Sequence, residues 1–163
     1  MMRSTTLKGV ALAGFIFSHT TQASVDLVKI DKSQNKMYLM EKGKVIKSYH
    51  IALSSSPKGH KQQEGDKKTP EGRYILDYKK EDSAFYRAMH ISYPNKKDLA
   101  KAKAKGVSAG GFIMIHGQKN KTKTQAAFNQ RFNWTNGCIA LTNSEMDEFM
   151  LLIDEGTKID IQW

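Results

Sequence analysis

Cys138 is the only cysteine in the 163-residue chain, and a glycine, Gly137, precedes it. A lone thiol cannot form a disulfide within its own chain, so it is either a small buried hydrophobe or a group with chemistry. As a nucleophile it needs a thiolate, which a nearby imidazole or converging backbone N–H groups make accessible. Gly137 lets the backbone turn tightly and approach a substrate, and the N–H groups of Gly137 and Cys138 are placed to face an oxyanion. The base would be His116, followed by Gly117 at the end of the apolar run Phe112-Ile113-Met114-Ile115. His50, His60 and His90 show no ligand spacing, and there is no second cysteine, so no metal site is expected. His50 and His90 are read as strand-surface residues and His60 as a residue of a loop that would border the cleft. No cofactor motif is present.

The elements that must position this pair are mainly strands. Val25 to Ile30 alternates, and Met37 to Met40 and Val45 to Leu53 follow, the latter across a hairpin turn at Lys42-Gly43-Lys44. Residues 54–70 are polar, carry Pro57, Gly59, Gly65 and Pro70, and read as a surface loop. Strands resume at Arg73 to Tyr78, at Met89 to Tyr93, and at residues 112–115, where the end of the strand would release His116 into a cleft. Residues 95–105 are alanine- and lysine-rich and helical in pattern, with a solvated face of Lys96, Lys97, Lys101, Lys103 and Lys105. Thr142 followed by Glu145 is a capping box that opens a helix over Asn143 to Ile153, with Met146, Phe149, Met150 and Ile153 as its core stripe. An edge strand over Lys158 to Gln162 closes the chain. The sum is a mainly β fold with a few helices (α+β), in one domain over 24–163.

The first 23 residues read as an export signal. Arg3 and Lys8 give a positive start, Gly9 to Phe17 is apolar or weakly polar, and Thr21-Gln22-Ala23 is a small-residue cleavage site. The mature chain then starts at Ser24. The apolar run is far shorter than the ~20 residues a membrane span requires, so no transmembrane span is expected in the mature chain. The formal charge is +10, and +8 once Arg3 and Lys8 are removed. Such a balance suits nucleic acid, an anionic membrane face or a polyanionic wall polymer. Export removes nucleic acid and leaves a periplasmic or cell-wall location.

His116-Gly117, followed by Thr135-Asn136-Gly137-Cys138-Ile139, resembles the signature of the YkuD-type L,D-transpeptidases. Lys36 to Tyr49 resembles the opening hairpin of that family, and Gly65-Asp66 with Thr69-Pro70-Glu71-Gly72 resembles its central segment. The likeness runs over nearly all of residues 25–163. It implies a cleft in which Cys138 attacks a peptidoglycan stem peptide and expels the terminal D-alanine as an acyl-enzyme forms. His116 would be base and then acid, with the Gly117 carbonyl holding its imidazole. Backbone N–H groups of Asn136, Gly137 and Cys138 would bind the oxyanion, and Trp134 and Thr135 are the substrate-binding candidates. Trp134 reads equally well as core or as a stacking wall beside the thiol.

Two positions depart from the common pattern, with Asn136 in place of histidine and Ala140 in place of arginine, and the connection from His116 to Thr135 is long. These features resemble the YafK-like branch, in which one member is a hydrolase that detaches a lipoprotein from the wall. Three readings follow: transfer of the stem acyl group to an amine, its hydrolysis with a wall-anchored lipoprotein as a candidate partner, or a non-catalytic wall-binding module. The intact Cys138 and His116 argue against the third.

Overall fold

A computed structural model describes residues 24–120 and 126–163. The expected export signal and its cleavage site lie outside the described residues.

Eight strands form one sheet. They are β1 (Leu27–Asp31), β2 (Lys36–Glu41), β3 (Lys44–His50), β4 (Gly72–Ser83), β5 (Tyr86–Ile91), β6 (Met114–His116), β7 (Ile139–Ala140) and β8 (Thr157–Gln162), in the order β3-β2-β1-β8-β4-β5-β6-β7. The helices are α1 (Lys96–Ala104), the short α2 (Ala126–Asn129) and α3 (Asn143–Leu152). The alternation read in the sequence sets the buried face: Val28 and Ile30 of β1, Met37 and Leu39 of β2, Tyr74 and Leu76 of β4, and Ile159 and Ile161 of β8 all point into the core. Helix α3 opens with the expected capping box, and α1 with a second one. Asn95 caps α1 reciprocally with Asp98, and Thr142 caps α3 reciprocally with Glu145. Met146, Phe149, Met150 and Ile153 are buried as one stripe. The lysines of α1 are exposed, as a solvated face should be.

The structure corrects one element. The last strand, expected at an edge, is interior: β8 runs parallel to β1 and antiparallel to β4. Its polar alternate residues, which suggested an edge, instead face solvent from one side of an interior strand. The sheet's two true edges, β3 and β7, also approach each other. Ala52, just beyond β3, exchanges both backbone hydrogen bonds with Ala140 of β7, at 3.0 and 2.8 Å. Ser54 is bridged to Thr135 in the same region. Curling the sheet in this way brings the loop after β3 against the turn before Cys138. Among the described residues no helix is long and apolar enough to cross a membrane.

Candidate active site

Strand register brings the thiol and the imidazole together. β6 and β7 pair in parallel, with Ile115 opposite Ile139 and His116 opposite Ala140. Side chains alternate along a strand, so Met114, His116, Cys138 and Ala140 share one face. The backbone N–H of Met114 reaches Cys138 Sγ at 3.5 Å, and the thiol lies 3.7 Å from the Phe112 carbonyl oxygen. A cleft of about 410 Å³ takes in Cys138 and His116 together with Phe85, Phe112, Trp134, Thr135 and Asn136.

His116 is 3 % exposed, and its Nδ1 lies 2.7 Å from the carbonyl oxygen of Gly117. A carbonyl can only accept, so Nδ1 carries the proton and Nε2 keeps its lone pair. Gly117 is held on both sides. Its N–H donates to the Arg87 carbonyl at 3.1 Å, and a Cβ added there would lie 2.7 Å from Asn143 Oδ1 and 2.9 Å from Tyr86 Cβ. That asparagine oxygen is itself engaged by the Gln118 N–H at 2.8 Å. The imidazole is therefore oriented by a backbone group that has little freedom to move.

Burial acts on both titrating groups in the direction of neutrality. It pushes the His116 imidazole below its ordinary value, against the Gly117 hydrogen bond. It pushes the Cys138 thiol up, opposed by the Met114 N–H and the Lys61 charge. The resting site thus favours thiol and neutral imidazole, the pair from which a proton can pass from sulfur to Nε2 as attack begins.

The turn before Cys138 is built from the loop on either side of it. Gly137 has φ +127°, and a Cβ there would lie 2.8 Å from the Lys68 carbonyl oxygen. Only glycine fits without strain. Its carbonyl accepts from the Thr69 hydroxyl at 2.9 Å. Thr135 lines the cleft but is 6 % exposed, and its hydroxyl is used inside the turn, donating to the Cys138 carbonyl at 2.7 Å and accepting from the Gly137 N–H at 3.3 Å. Of the three N–H groups proposed from the sequence to bind an oxyanion, that of Gly137 is already directed at Thr135. Asn136 is exposed on the cleft wall.

Trp134 is a wall of the cleft, its ring centroid 5.6 Å from that of His116 in an edge-on arrangement. Phe85 also packs on the imidazole, at 4.6 Å, and its ring centroid lies 6.0 Å from that of Trp134. Phe85 escaped the sequence reading because it sits at the tip of the β4–β5 hairpin, more than thirty residues from its partner. Asn120 latches that hairpin, donating to the Ser83 carbonyl at 2.9 Å and accepting from the Tyr86 N–H at 3.1 Å. A second cleft of about 500 Å³ also takes in Cys138, lined by Lys61, Glu64, Lys67, Phe112, Ile113 and Asn136. The two clefts share Phe112, Asn136 and Cys138. His60 lies away from both, with Nδ1 accepting from the Glu71 N–H at 2.9 Å and Nε2 3.2 Å from Asp98. His50 is exposed at the end of β3, and His90 is paired with Asp77 at 2.7 Å.

The sequence model of the YkuD L,D-transpeptidase catalytic domain matches residues 26–161. The chain belongs to the YkuD family. It is 33 % identical over 115 residues to the Escherichia coli (strain K12) protein named "Putative L,D-transpeptidase YafK", an alignment over 69 % of this chain and 39 % of YafK. Among solved structures it is similar to the helical cell shape determining protein Pgp2 from Campylobacter jejuni, with 29 % identity and a TM-score of 0.63 over 85 % of this chain and 47 % of Pgp2. An Enterococcus faecium L,D-transpeptidase shares the fold at 15 % identity and a TM-score of 0.56, over 85 % of this chain and 50 % of that one. The chain thus spans less than half the length of YafK and about half that of these structural relatives.

Proposed function

We propose that this YkuD domain is a cysteine acyl-transfer enzyme acting on peptidoglycan stem peptides outside the cytoplasmic membrane. The observation that carries this reading is the Nδ1 contact between His116 and the Gly117 carbonyl, which leaves Nε2 unprotonated in the cleft that holds Cys138. In the first half-reaction Nε2 takes the thiol proton as sulfur attacks the stem carbonyl. Negative charge on the carbonyl oxygen is met by backbone N–H groups at Asn136 and Cys138, with Gly137 N–H joining if it turns from Thr135. The imidazolium then gives its proton to the leaving amine, D-alanine, and a thioester remains on Cys138.

The second half-reaction needs an acceptor that reaches the thioester from a side the donor does not fill. Two clefts meeting at Cys138 support this arrangement, since a donor stem in one leaves the other open to an amine. Water in that second cleft would make the same site a hydrolase of stem-peptide or lipoprotein–peptidoglycan bonds.

Mass spectrometry decides both points. Purified protein incubated with tetrapeptide-stem muropeptides is expected to gain a stem mass on Cys138. Adding a competing amine is expected to give exchanged or crosslinked stems. Shortened stems alone would assign hydrolysis, and no adduct on Cys138 under any condition would refute the reading.

A further inference from the structure

Lys32 is buried at the start of the turn after β1, its side chain 0 % exposed. An ammonium carries three N–H donors, and removing it from water costs several kcal/mol unless each is met. All three are met. Nζ donates to the Gly59 carbonyl at 2.8 Å, the Thr69 carbonyl at 3.0 Å and Glu71 Oε1 at 2.9 Å. Every acceptor belongs to the loop between β3 and β4, a segment with little regular structure of its own. The same Thr69 whose carbonyl is held by Lys32 sends its hydroxyl to the Gly137 carbonyl, and the neighbouring Lys68 carbonyl abuts the Gly137 Cα. A chain of direct contacts thus runs from a fully buried cation through one threonine to the peptide that precedes Cys138.

We propose that Lys32 is a positioning residue of the acyl-transfer site, holding Thr69 so that its hydroxyl fixes the Gly137–Cys138 peptide. The inference rests on the acyl-transfer reading above. The Gly137 carbonyl and the Cys138 N–H are two ends of one peptide plane, so fixing the carbonyl fixes the direction of the N–H. That N–H is one of the donors assigned to the oxyanion, where aim matters more than proximity to the resting substrate. Lys32 touches neither substrate nor thiol in this arrangement. Loosening it should therefore slow acylation while leaving the walls that bind the stem in place.

The test compares wild type with Lys32→Met, Thr69→Val and the double variant, measuring single-turnover formation of the Cys138 adduct from a tetrapeptide-stem muropeptide. Rates are expressed per titratable thiol, so loss of folded protein does not count as loss of rate. Each single variant is expected to lower the saturating rate about tenfold, since small misplacements at a reacting centre carry losses of this order or more. The half-saturating stem concentration should stay within about twofold, and the double variant should be no slower than the worse single one, because both act through one contact. A wild-type saturating rate in either single variant, a multiplicative loss in the double, or a change confined to melting temperature or thiol content would overturn the inference. If Lys32→Met does not fold, Thr69→Val decides: a tenfold slower rate upholds the strut and an unchanged rate removes it. Absence of any adduct with wild type overturns the acyl-transfer reading itself, and this inference with it.

Discussion

His116 Nδ1 and the Gly117 carbonyl oxygen are 2.7 Å apart on adjacent residues, so the proton that must stay on the imidazole is held by the residue next in sequence. The orientation of the base therefore depends on where the Gly117 peptide lies. That peptide is pinned by Arg87, Tyr86 and Asn143. Cys138→Ala and His116→Ala are each expected to lower turnover at least about a thousandfold, and the double variant no further, because they remove halves of one cooperating unit. Circular dichroism should show the fold retained in all three. Activity of Cys138→Ala within tenfold of wild type would exclude covalent catalysis by this thiol.

The backbone before the thiol should matter more than the side chain there. Gly137→Ala places a Cβ 2.8 Å from the Lys68 carbonyl at φ +127° and is expected to cost about 2 kcal/mol of stability and about a hundredfold in rate. Asn136 is exposed, and Asn136→His is expected to stay within about threefold of wild type, as surface substitutions usually do. Urea unfolding and stem acylation measured on both variants check this, and equal losses would refute the ordering.

Burial of the pair gives a pH signature. The thiol is pushed above its ordinary range, so alkylation of Cys138 by iodoacetamide should keep rising through pH 9, a value near its unperturbed pKa of about 8.5. An alkylation rate that levels off near pH 6 would indicate a thiolate–imidazolium pair instead. For His116 the folded value is depressed, so the unfolded chain takes up the proton first as pH falls. The resulting stability is present above the unfolded pKa of about 6.5 and is lost from there down through the folded value. Denaturant midpoints at pH 7.5 and pH 5 should differ more for wild type than for His116→Ala.

Phe85 packs against the buried imidazole, with its ring 4.6 Å away. Phe85→Ala should admit water to the ring, bring the His116 pKa back toward its ordinary value, and destabilise the protein by about 1–2 kcal/mol, as expected for a half-buried aromatic. Titration of the imidazole by NMR reads the shift directly. An unchanged titration would show that Trp134 alone dries the site.

The parts of the site that could be read from sequence are those carried by single residues and local spacing. Cys138 stood out because it is alone, Gly137 because it precedes the thiol, and His116 because it ends an apolar run. The capping boxes at Asn95 and Thr142 lie within one turn of chain, and Thr142 was found for that reason. What stayed hidden is long-range. Phe85 meets His116 only through docking of the hairpin that Asn120 latches, and the tie between Thr69 and Gly137 spans 68 positions. Nothing in the sequence marks Lys32, because no local pattern distinguishes a buried ammonium from a solvated one. The interior place of β8 was missed for a similar reason, since alternation reports which face is dry and not which strand lies alongside.

That placement of β8 has a consequence for how the protein is made. Three strands on one side of it, β3-β2-β1, come from the early part of the domain, while the four carrying the thiol and imidazole lie on the other. Apart from the short Ala52–Ala140 and Ser54–Thr135 bridges, the hydrogen-bonded ladder between these groups runs through β8. A ribosome delivers residues 157–162 after every other strand of this sheet. The sheet therefore lacks its central ladder until β8 is made, and a nascent chain stopped before Thr157 would carry Cys138 on two groups of strands linked in the sheet by those short bridges.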